Sequence, residues 1–272
     1  MIRLVVTDMD GCLLDGKGNL PSDFEETFAL MEEKGVVFAA ASGRSIAGLK
    51  KPFGSFAEKM AFATDNGASA YFREEQLFSN TLTPEDYLPI IEEARKHPGV
   101  IPVICGTKTA WMENVDSYSD EVIKEFQKYY PTWSECSFDS VPDDVIKVAL
   151  LYFDDIEKNI YPYFEKFNNG KILCKVTAYV WIDVFDASVS KGTAVGALQE
   201  RLGISKDETI VFGDYLNDIP MAEYASRSFA PSNAHADVKS AFTDVIGSND
   251  EGTVTKTIRD LLQQQDQCYN HP

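Results

Sequence analysis

Apolar positions in this chain come in short runs that stop abruptly on polar residues. The first, Ile2 to Val6, is broken only by Arg3 and gives way to Thr7-Asp8-Met9-Asp10-Gly11. A β-branched run of this length without alternation predicts a strand buried on both faces of a parallel sheet. Ser22 to Glu33 sets Phe24, Phe28, Leu30 and Met31 among acids and stops at Gly35, the pattern of an amphipathic helix. Val36 to Ala41 reads as a second buried strand, ending in Ser42-Gly43-Arg44. Strand, helix, strand makes a βαβ unit with a right-handed crossover, so Ser42 should reach the same sheet edge as Asp8 and Asp10. Met60 to Ala63 predicts a third strand, ending in Thr64-Asp65-Asn66-Gly67, and Ala68 to Leu82 a hairpin turning at Arg73 to Gln76. Asp15 to Asn19 reads as a turn at the tip of a smaller hairpin.

Near Thr83 the texture changes. Pro84 to His97, Asp120 to Tyr130 and Asp155 to Phe167 predict helices among strands at Val100 to Cys105, Thr109 to Met112, Ile146 to Phe153, Lys171 to Thr177 and Tyr179 to Phe185. This self-contained mixture predicts an inserted domain. Its many aromatics, Trp111, Trp133 and Trp181 among them, are expected in its core. From Ser188 the first texture returns, with a helix from Ser190 to about Leu202 and strands at Thr209 to Phe212, Arg227 to Ala230 and Asp244 to Ile246. A helix from Thr253 to about Gln264 and a frayed tail from Cys268 close the chain, and Cys268 with His271 gives only weak grounds for a metal site.

Composition narrows the function. With 25 basic and 43 acidic residues among 272, the net charge is −18. Such a field repels nucleic acid and anionic membrane surfaces, yet a bound metal and a local lysine can invert it at one site. The longest apolar run, Val36 to Ala41, is too short to span a bilayer, and Asp8 cuts off the first run before it could serve as a signal peptide. Five scattered cysteines without a Cys-x-x-Cys pair predict free thiols in a reducing compartment, hence a cytoplasmic protein.

Candidate chemistry gathers at the strand ends. Two aspartates closing a buried strand raise one another's pKa, so a cation should sit beside them. Ligand crevices of open parallel sheets lie outside the carboxyl ends of the strands. Hard oxygen ligands suit a divalent metal, magnesium best, while a strand followed by an acidic turn is the alternative this stretch leaves open. A near match to a phosphate-binding loop, Gly11 with Gly16-Lys17, fails at Gly18, where a hydroxyl is needed, and no helix begins before about Ser22. Ser42 is a turn or cap residue by itself, and its place beside the acidic pair makes phosphate binding the competing reading. Asn66-Gly67 is a turn signal first and a ligand contact only by location. Lys191 stands at a helix N-terminus, where the macrodipole favours anions; lysine and dipole converging on one anion would account for it. The strand at Thr209 to Phe212 ends in Gly213-Asp214-Tyr215-Leu216-Asn217-Asp218. Three strand ends thus deliver Asp8, Asp10, Ser42 and Asp214 to one edge, where Lys191 can join them. His97, His235 and His271 fall outside these motifs. What remains is metal-assisted carboxylate chemistry on an anionic substrate.

These residues carry a resemblance. Asp8-Met9-Asp10-Gly11-Cys12-Leu13-Leu14, Ala41-Ser42-Gly43-Arg44, Asn66-Gly67-Ala68, Ser190-Lys191-Gly192, Gly213-Asp214-x-x-Asn217-Asp218 and Ser232-Asn233-Ala234-His235 with Val238-Lys239 resemble the haloacid dehalogenase superfamily, specifically its Cof-type phosphatases. The resemblance implies an α/β fold: a Rossmann-like parallel-sheet core, residues 1–82 and 188–272, with an inserted α/β cap at 83–187 that selects the substrate. It implies hydrolysis of small phosphorylated metabolites such as sugar phosphates. Asp8 would be the nucleophile that forms an aspartyl phosphate, and Asp10 the acid and base. Asp8, the backbone carbonyl of Asp10, and Asp214 would hold Mg²⁺. Ser42, Gly43 and Lys191 would bind the phosphoryl group, with Asn217 helping to orient it. Arg44 and Asn66 would lie near the substrate, and Asp218 would support the metal ligands from outside. A phosphomutase or other phosphoryl transferase shares this chemistry, and a phosphate-binding regulatory protein is the non-catalytic alternative. Tyr215 departs from the pattern, standing where a small residue is usual, and would narrow the site or alter selectivity.

Overall fold

The structure, a computed structural model, describes residues 1–130 and 132–270. The chain divides into two compact units, Met1–Phe78 with Ser190–Pro272, and Ser79–Val189. It opens with β1 (Leu4–Thr7), α1 (Phe24–Glu33), β2 (Val37–Ala41), α2 (Ile46–Lys50), β3 (Ala61–Thr64), β4 (Ser69–Phe72) and β5 (Glu75–Ser79). Next come α3 (Pro84–Ala94), β6 (Ile101–Gly106), β7 (Ala110–Met112), α4 (Asp120–Tyr129), β8 (Trp133–Glu135) and β9 (Val145–Leu151). After α5 (Ile156–Asn159), α6 (Tyr161–Phe164), β10 (Ile172–Ala178) and β11 (Trp181–Asp186), the chain re-enters the first unit at α7 (Lys191–Leu202). It closes with β12 (Thr209–Phe212), β13 (Arg227–Ala230), α8 (Ala236–Ala241), β14 (Asp244–Val245) and α9 (Thr253–Asn270).

The sheet of the first unit runs β14-β13-β12-β1-β2-β3-β4-β5. β1 pairs in parallel with both β12 and β2, and β3, β13 and β14 continue the parallel run. β4 returns antiparallel to β3 and turns into β5 through Arg73 and Glu74, both at positive φ, as a hairpin turn of matching twist requires. Strand alternation sorts the core into two layers. Val5, Phe38, Ile210, Phe212 and Phe229 pack with Phe24, Phe28 and Met31 of α1 and with Val254, Ile258 and Leu262 of α9. Leu4, Val6, Ala39, Ala61 and Val211 pack with Ala194, Val195 and Leu198 of α7 on the opposite face. Each such Val, Leu or Phe stabilises the unit by about 1.5–3 kcal/mol. With both faces covered, polar side chains from these strands have their outlet at the strand ends.

The second unit is built on a sheet in the order β10-β11-β9-β6-β7-β8, antiparallel except where β8 pairs with β7. Ile90 and Ile91 of α3 pack there with Ile104, Val148, Leu150, Phe164, Ile182 and Val184.

Several elements differ from expectation. The units divide at Phe78/Ser79 and Val189/Ser190 rather than at 82/83 and 187/188. The Leu82 N–H donates to the carbonyl of Val145 (2.7 Å) and Asn80 Nδ2 to Ser188 Oγ (2.7 Å), which ties the connecting residues to the second unit. The helix expected over 155–167 is split into α5, α6 and a 3-10 turn at Glu165–Phe167. Pro162 breaks it, lacking an N–H and crowding the carbonyl four residues earlier. β8 is too short to leave a pattern in sequence. The turn at Asp15–Asn19 is closed by Asp15 Oδ1, which accepts from the N–H groups of Lys17 and Asn19, and is flanked by an isolated Asp10–Leu14 bridge instead of paired strands. α9 runs to Asn270, past the end expected near Gln264, because neither Gly nor Pro interrupts it. His271 and the side chain of Cys268 lie outside the described residues. Among the described residues Cys12, Cys105, Cys136 and Cys174 form no disulfide. No helix among the described residues is long and apolar enough to cross a membrane.

Candidate active site

The parallel register brings the ends of β1, β2, β3 and β12 to one edge. Asp8 follows β1, and its N–H donates to the carbonyl of Phe212 at the end of β12 (2.9 Å), which keeps it in line with the strand. Its carboxylate is buried against Lys191, the first residue of α7, whose Nζ donates to it. Lys191 Nζ also donates to Asp218 Oδ1 (2.6 Å). The other oxygen of Asp218 accepts from the backbone N–H groups of Asp214 (2.9 Å) and Tyr215 (3.0 Å).

Carboxylate oxygens of Asp8, Asp214 and Asp218 all lie within 4.8 Å of one another. Among the described residues Lys191 is the single cation bonded among them, so the cluster with every carboxylate ionised carries two net negative charges. Burial lifts the Asp8 carboxyl to about 8; Lys191 opposes the rise, while Asp218 and Asp214 add to it. Asp214 is raised to about 6, by burial first and then by the charge of Asp218. Burial would lower the Lys191 ammonium, but the charges of Asp8 and Asp218 more than offset it and hold it above the ordinary range. These shifts pull opposite ways on the Asp8–Lys191 pair, and the charge count decides between them: one ammonium cannot neutralise three crowded carboxylates.

A divalent cation fits this deficit in charge and in geometry. Asp218 spends both oxygens on Lys191 and the backbone, whereas Asp214 Oδ1 is buried without a hydrogen-bond partner. Asp8 and Asp214 therefore retain the ligand capacity. Gly11 leaves Asp214 its room: at φ +81° it has the left-handed backbone that glycine favours, and a Cβ there would lie 2.4 Å from Asp214 Oδ2. Asn233 Nδ2 holds the Gly11 carbonyl (2.7 Å). These supporting roles of Gly11 and Asn233 were not assigned from sequence, although both residues sit inside the quoted motifs.

The remaining residues surround the cluster. Ser42 is buried at the end of β2, and its Oγ accepts from the Arg44 N–H (3.2 Å). Among the described residues its own O–H meets no acceptor, so it can donate to an anion. Gly43 lies against the side chain of Asn66, whose Oδ1 accepts from Asn217 Nδ2 (2.9 Å). The Asp10 side chain is not a member of the three-carboxylate cluster: it is largely exposed and gripped by Arg44, with Arg44 Nε donating to Oδ2 (3.0 Å) and a second guanidinium nitrogen to Oδ1. Tyr215 is exposed, its ring edge-on to His235 at 5.8 Å.

Comparison with known proteins supplies a family and a fold. The sequence profile of the haloacid dehalogenase-like hydrolases matches residues 5–258. A 5-amino-6-(5-phospho-D-ribitylamino)uracil phosphatase of Escherichia coli K12 is 27% identical over 266 residues, covering 97% of each chain. A crystal structure from Eubacterium rectale, 25% identical, superposes with a TM-score of 0.86 over 96% of this chain and 99% of that one. A subclass IIB sugar phosphatase of the same superfamily, BT4131, shares the fold with a TM-score of 0.73 at 22% identity, over 95% and 98% of the two chains.

Proposed function

The chain belongs to the haloacid dehalogenase-like hydrolase family, and from that premise we propose that it hydrolyses small phosphate monoesters through a covalent phosphoryl-Asp8 intermediate. The observation that carries the reading is the largely buried cluster of Asp8, Asp214 and Asp218 around Lys191, two positive charges short of neutrality when its carboxylates are ionised. A divalent cation held by Asp8, Asp214 and the backbone carbonyl of Asp10, magnesium by the hardness of its oxygen ligands, would neutralise the charge that develops on the phosphoryl oxygens. Ser42, Gly43, Lys191 and Asn217 bind those oxygens, with Arg44 and Asn66 near the substrate. An oxygen of Asp8 attacks phosphorus as the bond to the leaving oxygen breaks, and Asp10 gives that oxygen a proton. Asp10 then takes a proton from water, whose oxygen attacks the aspartyl phosphate, releasing inorganic phosphate and restoring Asp8.

Substrate choice falls to the unit Ser79–Val189, whose second connection lies beside Ser190 and Lys191 in the chain. The phosphoribitylamino compound named for the E. coli relative marks the class: a primary phosphate on a small polyhydroxylated metabolite. The test is a panel of such esters, sugar phosphates included, assayed with magnesium for free phosphate. Hydrolysis of small esters without a second acceptor supports the reading. Phosphate appearing only as transfer to an acceptor would make the protein a phosphotransferase instead.

A further inference from the structure

We infer that the turn Asp65-Asn66-Gly67 is the positioning element of the site, a backbone wedge that sets where Lys191, Ser42 and Asn217 stand relative to one another. This rests on the proposed phosphatase reading and assigns a role within it.

The turn follows β3 and takes three successive residues into the left-handed region: Asp65 at φ +51°, Asn66 at +58° and Gly67 at +101°. Two of these carry side chains, and such a conformation is strained unless its surroundings hold it. The surroundings here are the candidate phosphate-binding segments. On one side, the Asn66 N–H donates to the carbonyl of Ser42 (3.0 Å) and the Asp65 N–H to that of Arg44 (3.0 Å), which stitches the turn to the Ser42-Gly43-Arg44 corner. On another, Asn66 Oδ1 accepts from Asn217 Nδ2 (2.9 Å), which fixes the Asn217 amide.

The third contact is the tightest. A Cβ on Gly67 would lie 2.0 Å from the carbonyl oxygen of Ser190, 2.5 Å from its carbonyl carbon and 3.0 Å from the Lys191 nitrogen. The neighbour is backbone and cannot swing away. Ser190 is the N-cap of α7, its Oγ accepting from the Thr193 N–H (3.0 Å), so the turn presses on the very end of the helix whose first residue supplies the lysine. Lys191 reaches Asp8 and Asp218 through a side chain sealed from water, with little slack to absorb a shift of its backbone. Glycine at 67 therefore serves two needs, the φ of the turn and the close approach that fixes the origin of Lys191.

The experiment compares wild type, Gly67→Ala, Lys191→Met and the double variant, measuring kcat and KM for a small phosphate ester with magnesium, together with thermal unfolding. Wild type should turn over and Lys191→Met should be strongly impaired, which tests the underlying reading separately. Gly67→Ala should lower kcat/KM by about 10²-fold, most of it in kcat, as expected for a misplaced catalytic group. In the Lys191→Met background the same change should cost less than about threefold, because contacting residues that act through one another are not additive. If Gly67→Ala does not fold, Asn66→Gly, which tolerates the same φ, replaces it with Asn217→Ala as its partner. The same sub-additivity is then expected, at a loss of about tenfold for the single variant. Normal turnover by folded Gly67→Ala overturns the inference, as does full additivity with Lys191→Met or, in the substitute pair, with Asn217→Ala. A wild type that hydrolyses no phosphate ester overturns the phosphatase reading itself.

Discussion

Lys191 Nζ and Asp218 Oδ1 lie 2.6 Å apart with both side chains sealed from solvent, and the second oxygen of Asp218 holds the backbone of Asp214. One carboxylate thus joins the N-terminus of α7 to the loop after β12, and the same lysine reaches on to Asp8 at the end of β1. Removing Lys191 leaves three carboxylates crowded together with no ammonium bonded among them.

Lys191→Met should therefore destabilise the fold as well as stop turnover. Breaking a buried pair by deleting one member costs about 3–5 kcal/mol, because the surviving charges lose their compensation. Urea unfolding of the variant should show that loss in metal-free buffer, and magnesium should recover part of it. A loss below about 1 kcal/mol, the range of exposed ion pairs, would contradict the burial argument.

Asp8→Asn and Asp214→Asn should do the reverse. Each removes one negative charge from a cluster with too many, so each variant should melt several degrees higher than wild type in metal-free buffer, the usual trade between stability and activity at a site. Magnesium should raise the melting temperature of wild type by mass action and do so far less for Asp214→Asn. Differential scanning fluorimetry with and without chelator checks both. Equal magnesium shifts in wild type and Asp214→Asn would exclude Asp214 as a ligand.

Asp10→Asn separates proton transfer from nucleophilic attack. Loss of an acid–base group costs about 10²–10⁴-fold, and the deficit should be largest for alkyl phosphates, whose leaving oxygen needs a proton. An aryl ester such as p-nitrophenyl phosphate should suffer less in formation of the phosphoenzyme, though its breakdown is slowed too. Steady-state rates with both ester classes and burst kinetics provide the comparison; an equal loss in formation rate for both would remove Asp10 from the acid role.

How much of this was legible in the sequence follows from the physics of parallel sheets. Strands covered on both faces are forced into uninterrupted apolar runs, so the polar residue that stops each run marks a strand end. Asp8, Ser42 and Asp214 were visible for that reason. What stayed hidden depends on tertiary approach. The grip of Arg44 on Asp10, the contact of Asn217 with Asn66 and the pressure of Gly67 on Ser190 join residues far apart in the chain. No local pattern encodes them; Asn66-Gly67 read as a turn first, and its nearness to a ligand came only from its location and the family resemblance. The break at Pro162 was present in the sequence, but the apolar periodicity on either side of it masked the interruption.

The second unit has an electrostatic signature of its own. Glu93 accepts from Lys166 (2.8 Å), Lys96 (3.0 Å) and His97 (3.1 Å), and these bonds, that of Lys166 first, lower its carboxyl from 4.5 to about 2. A depressed folded-state pKa stabilises the protein above the unfolded value, and that contribution is lost as pH falls from 4.5 through about 2. Glu93→Gln should cost about 1 kcal/mol at neutral pH, since the lysines are largely exposed and screened. The gap from wild type should close across that acidic window. Chemical denaturation at pH 7 and pH 2.5 measures it, and a gap that widened toward acid would reverse the assigned sign.

The central claim is that phosphorus passes through Asp8. Rapid quench of wild type with a small phosphate ester and magnesium, followed by mass spectrometry of the peptide containing Asp8, tests it most directly. The account predicts a transient phosphoryl group on Asp8 that forms within one turnover and decays to inorganic phosphate, with neither modification nor turnover in Asp8→Asn. Undiminished phosphate release by Asp8→Asn, or a kinetically competent phosphoryl group on any other residue, would contradict it.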